Sequence, residues 1–155
     1  MIIANPIGYV RNSRQTPEDD GWGEIESEIL INGELGEECL EQIESFSHIE
    51  IIYYFHLVNG QKIETGARHP RNNLGWPKVG IFAQRGKNRP NRLGATIAKL
   101  LRREGRTLFV AGLDAIDGTP VLDIKPVMRE FLPHEEIKQP DWSIELMQNY
   151  WETKQ

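Results

Sequence analysis

The sequence predicts a mainly β protein: a small closed or nearly closed β-barrel with one short helix and a C-terminal helix. Three observations carry this prediction. Fourteen glycines and nine prolines in 155 residues supply many turns, which favours short strands over long helices. Segments with a two-residue apolar period, or with β-branched and aromatic composition, recur at short spacing. Only two small stretches carry helical spacing, too little to cover an open sheet, so the sheet closes on itself. The length fits one domain over 1–155, and a chain of this size buries roughly two-thirds of its unfolded surface.

The elements follow in order. Residues 2–11, "IIANPIGYVR", read as a strand interrupted at Asn5-Pro6. "NSRQTPEDDGWG" is rich in turn formers and reads as a loop. In "EIESEILI", Ile25, Ile29 and Ile31 alternate with acids, the pattern of a half-exposed strand. Cys39, Leu40, Ile43 and Phe46 lie near helical spacing, with acids on the other face, so a short amphipathic helix is expected from Glu37 to Glu44. "HIEIIYYFHLV" has the composition of a central strand. Residues 66–78 form a loop, and "VGIFA" is a further strand.

Leu93 to Arg103 fits either a helical stripe or a strand. The short spacing to "RTLFVAGLD" across Glu104-Gly105 favours a hairpin, hence a strand. A turn at Asp117-Gly118 leads into a short strand from Val121 to Ile124. Asp141 is a candidate N-cap for a terminal helix over 141–151, in which Trp142, Leu146, Met147, Tyr150 and Trp151 lie close to one face.

Composition narrows the function classes. One cysteine, Cys39, allows no internal disulfide, which is the usage of a reducing cytoplasm. No apolar run approaches the roughly 18 residues of a membrane span, and "MIIANPIGYV" lacks the basic and long apolar regions of a signal peptide. The net charge of −5 is unevenly distributed. From Glu18 to Glu50 there is no Lys or Arg, whereas from Lys62 to Arg106 the only acids are Glu64 and Glu104. That asymmetry can build a basic face on an acidic protein, although two solvated faces would have the same composition. GxGxxG, Walker, HExxH and GxSxG patterns are missing, and four scattered histidines with one cysteine give no metal spacing.

Two loops carry the chemistry. In "RGKNRPNRLG", Gly86, Pro90 and Gly94 restrict the backbone while Arg85, Lys87, Arg89 and Arg92 project cations, suited to carboxylate or phosphate. An ordinary basic turn would read alike. In "LDAIDGTPVLDIKP", Asp114, Asp117 and Asp123 flank a tight turn that offers main-chain and carboxylate groups to a polar or cationic small molecule. An Asp-Gly hairpin with surface acids is the plainer reading of the same residues.

Together these stretches resemble one family. "RPN" followed by "LG", the string "DGTPVLDIKP", "NPIGYVRNS", "FSHIEIIYYFH", and "RHPRNN" followed by "VGIFAQR" are similar to the TrmO/YaeB-like, or TsaA-like, methyltransferases over most of the chain. The resemblance implies an S-adenosylmethionine-dependent enzyme on a small β-barrel, active as a homodimer. It also implies N6-methylation of threonylcarbamoyladenosine beside the tRNA anticodon. Carried over, the cofactor contacts fall on Arg14, Gln15, His56, Leu57, Arg85, Ala95, Asp117, Gly118, Thr119 and Pro120. Arg89, Asn91 and Arg92 would face an anionic substrate.

The loop around Arg14 and Gln15 is shorter than the family's and lacks its PRQP, and "AQRGKNRPNRLG" stands where the family shows ATRSPFRPNPIG. Asn88 and Arg92 are the departures nearest the substrate mouth, and a short form is expected, with the aromatic tail where longer members carry an extra C-terminal domain. A methyltransferase for another nucleoside or small molecule, or a cofactor-binding regulator without turnover, remain alternatives. Asp114, Asp117 and Asp123 are equal candidates for a proton acceptor.

Overall fold

The computed structural model describes residues 1–152. Its strands are β1 (Gly8–Arg11), β2 (Glu26–Ile31), β3 (His48–Tyr54), β4 (Ala67–Arg68), β5 (Val79–Gly80), β6 (Leu93–Glu104), β7 (Thr107–Ala111) and β8 (Pro120–Pro126). Six of them close a barrel in the order β1-β2-β7-β6-β3-β8, every neighbour antiparallel. β4 and β5 form a separate two-stranded ladder.

The two-residue period decides what lies inside. Ile49, Ile51 and Tyr53 of β3, Ile29 and Ile31 of β2, Leu108 and Val110 of β7, and Ala98 and Leu100 of β6 all point into one buried core. Their neighbours in sequence face outward, as the pleat requires. Closure leaves no edge to cover, which is how a chain so poor in helix satisfies its sheet.

β6 is the strand that the helical stripe left open. It runs twelve residues because it serves two neighbours. Leu93 to Lys99 pair with β3, and Lys99 to Glu104 pair with β7. Lys99 pairs with both, and a register shift between Leu100 and Arg102 follows within the pairing to β7, the usual work of a bulge in a curved barrel. Leu93, Ile97 and Leu101, which made the helical stripe plausible, lie on the outer face of the strand.

The expected helix from Glu37 to Glu44 is instead two 3₁₀ turns, Glu37–Leu40 and Ile43–Ser45. Gln42, at φ 70°, breaks the helix between them. The break lets Leu40 enter the core and Ile43 pack against it, while Cys39 stays exposed. "VGIFA" pairs only through Val79 and Gly80, then turns as 3₁₀ from Ile81 to Ala83.

The terminal helix α1 spans Asp141–Met147, short of the 141–151 expected, and Pro140 rather than Asp141 occupies the N-cap. It stops because the chain beyond it has other partners. The carbonyls of Asn149 and Tyr150 accept the N–H groups of Gly21 and Trp22 at 3.2 and 2.8 Å, tying the tail to the loop before β2. No helix among the described residues is long and apolar enough to cross a membrane.

Candidate functional site

The turn between β7 and β8 is built from its buried ends. Leu113 and Ala115 insert into the core and leave Asp114 between them. The Asp117 N–H donates to the Arg14 carbonyl, and the Gly118 N–H to the Val10 carbonyl, both at 2.7 Å. Thr119, itself buried, donates its hydroxyl to the Ile116 carbonyl at 2.7 Å. Asn12 braces the turn from the first loop. Its N–H donates to Asp117 Oδ1 at 3.0 Å, and its side-chain amide donates to the Ala115 carbonyl and Ser27 Oγ at 2.7 and 2.9 Å.

What remains outward is Gly118, at φ +80°. A Cβ there would stand 3.7 Å from His56 Nε2, filling the gap between turn and imidazole. His56 leaves the end of β3, followed by an exposed Leu57. Desolvation lowers the His56 pKa from its ordinary value, so the ring is neutral at pH 7. Pro120 opens β8 opposite Tyr9.

Arg14 and Gln15 divide. The Arg14 side chain is buried, stacks on Trp22 at 4.6 Å, and donates to the Glu18 carboxylate and to the Asp20 and Gly21 carbonyls. Its guanidinium thus closes its own loop, and only its carbonyl touches the Asp117 turn. Gln15 is exposed.

Arg85 is exposed and donates to the Ala95 carbonyl at 2.6 Å, which joins two of the residues named as cofactor contacts. Arg89 and Arg92 are turned inward on their own loop. Arg89 Nη1 donates to the Gln84 carbonyl at 2.7 Å. Arg92 Nη1 donates to the Val58 carbonyl at 3.1 Å, and its guanidinium lies 5.4 Å from the centre of the Tyr54 ring. Asn91 is exposed at φ 64°.

The three carboxylates have three fates. Asp114 accepts from Tyr53 Oη at 3.0 Å, from Thr96 Oγ1 and from Tyr150 Oη, so both its oxygens are engaged. Burial first, and the Asp114 charge second, push both tyrosine hydroxyls far up, which keeps them as donors. Arg85 opposes that rise at both tyrosines and so stands near the same network. Asp123 pairs with Lys125 at 2.7 Å on β8. Asp117 keeps Oδ2 without a hydrogen bond among the described residues, while Oδ1 holds Asn12.

Reasoning from sequence missed Asn12, Tyr53 and Thr96 as parts of the site, and placed Tyr150 only in an apolar face. A tyrosine at an inward position of an alternating strand was a usable signal, because a buried hydroxyl needs a partner. Gly94 carried another: a Cβ there would meet the Tyr53 ring at 2.5 Å.

A six-stranded barrel whose Asp-Gly-Thr-Pro turn faces a histidine leaving a neighbouring strand defines a structural class, and comparison with known proteins gives it a family. The family of the tRNA-methyltransferase O N-terminal domain matches residues 9–131, and the chain belongs to it. A human tRNA (adenine(37)-N6)-methyltransferase is 37% identical over 113 residues, covering 73% of this chain and 25% of that protein. A probable S-adenosyl-L-methionine-binding protein of Pyrococcus abyssi is 34% identical over 145 residues, covering 89% of this chain and 74% of its own. A crystal structure of TrmO from Pseudomonas aeruginosa superposes with a TM-score of 0.73 at 26% identity, over 92% of this chain and 62% of that one. The chain therefore spans about a quarter of the human relative's length.

Proposed function

We propose that the protein transfers a methyl group from S-adenosylmethionine to N6 of threonylcarbamoyladenosine beside the anticodon of tRNA. The observation that carries this reading is the apposition of the Asp117–Pro120 turn and His56, with Gly118 leaving a gap a Cβ would fill. The residues around that gap fit the cofactor. A neutral imidazole does not repel a sulfonium, exposed Leu57 offers apolar contact to an adenine, and Arg85 offers a cation for the carboxylate end. When bound, the cofactor supplies an already activated methyl group.

The protein's own task is alignment. Holding two reactants in line can lower a barrier by on the order of 7–11 kcal/mol. The acceptor nitrogen is amide-like and a poor nucleophile, so a proton acceptor is needed. Of the three candidate carboxylates, Asp117 is the one in the turn with a free oxygen, and we assign it that role. Asp114 holds the tyrosines, and Asp123 is paired on the strand.

Mass analysis of tRNA nucleosides from a deletion strain tests this reading. It predicts loss of the N6-methylated nucleoside, with the unmethylated form in its place, restored by wild type and not by Asp117→Asn. An unchanged nucleoside profile would reject the proposed acceptor.

The same reading extends to a homodimer. Leu93 and Ile97 share the outer face of β6 at 42% and 45% exposure, and Phe82 and Phe131 are 79% and 86% exposed, apolar side chains that a second copy could cover. Light scattering should give twice the chain mass at tens of micromolar; a monomer there would refute the dimer.

A further inference from the structure

Beside His56 the barrel carries a second concavity. A cleft of about 390 Å³ lies between the 57–59 segment, Lys62, the 68–72 turn and the Lys87-Asn88 step. Its walls hold four cations, Lys62, Arg68, Arg71 and Lys87, against one acid, Asp19. Arg71 is paired with Asp20 at 3.0 Å. Lys62, Arg68 and Lys87 form no ion pair among the described residues. On a chain of net charge −5, three unpaired cations in one concavity are a local field of opposite sign to the whole.

The walls are fixed. Arg68 Nη2 donates to Asn72 Oδ1 at 3.0 Å. Gln84 Nε2 donates to the Arg68 and Val79 carbonyls, each at 2.9 Å, which holds the β4–β5 ladder behind that arginine. Arg71 and Asn72 sit at φ 51° and 57°, a left-handed conformation that non-glycine residues adopt at a cost and that clusters at ligand clamps. On the other side, Arg92 holds the carbonyl of Val58, which lines the cleft. Leu57 also lines it and directly follows His56, whose Nε2 faces Gly118, so the cleft and the turn meet on one chain segment.

We propose that this cleft is the oxyanion site for the methyl acceptor, taking a tRNA backbone phosphate or the threonyl carboxylate of the modified base. The proposal rests on the tRNA reading above and moves the substrate contact from Arg89 and Arg92 to Lys62, Arg68 and Lys87. A guanidinium steadied on one side by Asn72, flanked by two ammonium groups on flexible stems, is suited to a multidentate oxyanion.

The test is tRNA binding by wild type and by the Lys62→Gln/Lys87→Gln double variant, over a range of salt, with S-adenosylmethionine affinity measured on both proteins. Both lysines are exposed, so the variant is expected to fold. Its tRNA affinity should fall about tenfold or more, with cofactor affinity within about twofold. If phosphates are the ligand, the loss is equal on tRNA with and without the threonylcarbamoyl group. The log–log salt slope then shrinks by roughly 1.4–1.8 for two contacts. If the carboxylate is the ligand, the loss is confined to the modified tRNA. Unchanged tRNA affinity in the variant overturns the proposal and leaves the tRNA reading intact. A variant that loses cofactor affinity but not tRNA affinity also overturns it, by assigning the cleft to the cofactor. Wild type that binds cofactor but no tRNA overturns the tRNA reading and this site with it.

Discussion

Two turns of this protein share one construction and use it oppositely. Pro70-Arg71-Asn72 and Pro90-Asn91-Arg92 each open a 3₁₀ turn with proline and then place two non-glycine residues at positive φ. At the second turn, Arg89 and Arg92 each spend guanidinium donors on main-chain carbonyls of the fold. At the first, Arg71 is paired with Asp20, while Arg68, on the strand just before it, leans on an amide and lines an open cleft. The same contrast separates two carboxylates of one loop. Asp114 accepts three hydroxyls, whereas Asp117 keeps an oxygen without a hydrogen bond among the described residues. A charge is available to a ligand only after the protein's own donors and acceptors are accounted for.

The largest expected effect falls on the most fully engaged group. Asp114→Ala removes the carboxylate that accepts from Tyr53, Thr96 and Tyr150, and should cost about 3 kcal/mol of stability, from lost hydrogen bonds to a charged group. Urea unfolding checks it. A loss under about 1 kcal/mol would show that the network is incidental to the fold.

Next comes Arg92→Ala, which leaves the Val58 carbonyl without its donor and uncovers the Tyr54 ring. It should cost about 1–2 kcal/mol and hardly alter the salt slope of tRNA binding. A stable variant with a slope reduced by nearly one unit would reverse the assignment of the two turns.

A smaller effect concerns pH. Burial lowers the His56 pKa, so the folded protein takes up this proton at lower pH than the unfolded chain, whose histidine titrates near 6.5. The unfolded state binds more protons in that interval, so the stability His56 contributes is present above about pH 6.5 and lost as pH falls through the folded value. The same protonation would set an imidazolium beside a sulfonium. S-adenosylmethionine affinity should therefore drop between pH 7 and pH 5 in wild type and stay flatter in His56→Gln. Parallel profiles would remove His56 from the cofactor site.

What the sequence made legible was what is local. Alternation in β3 and β7 placed Ile49, Ile51, Leu108 and Val110 in the core because the pleat has a fixed period. Asp117-Gly118 announced a turn because its backbone demands are short-range. The family resemblance placed His56 near that turn, although nothing in the residues themselves did. Leu40 and Ile43 read as one helical stripe, yet two 3₁₀ turns bury the same pair, and spacing does not separate the two solutions.

The long-range brace was not legible. Asn12 reaches Asp117 across 105 residues, and Tyr150 reaches Asp114 across 36. Nor were the internal anchors of Arg89 and Arg92, because their acceptors are carbonyls, which every residue carries. The four cations of "RGKNRPNR" looked alike in sequence; in the structure Arg85, Arg89 and Arg92 each donate to a main-chain carbonyl and Lys87 lines the cleft.

The account stands or falls on the gap at Gly118. Calorimetric titration of S-adenosylmethionine into wild type and Gly118→Ala tests it most directly, with thermal unfolding to confirm that both are folded. An alanine at φ +80° adds strain of about 1–2 kcal/mol, and its methyl would stand against His56. Wild type should bind in the micromolar range, about −8 kcal/mol, and a folded Gly118→Ala at least tenfold more weakly. No heat from wild type at millimolar cofactor, or equal affinity in the two proteins, would contradict the assignment of this turn to the cofactor.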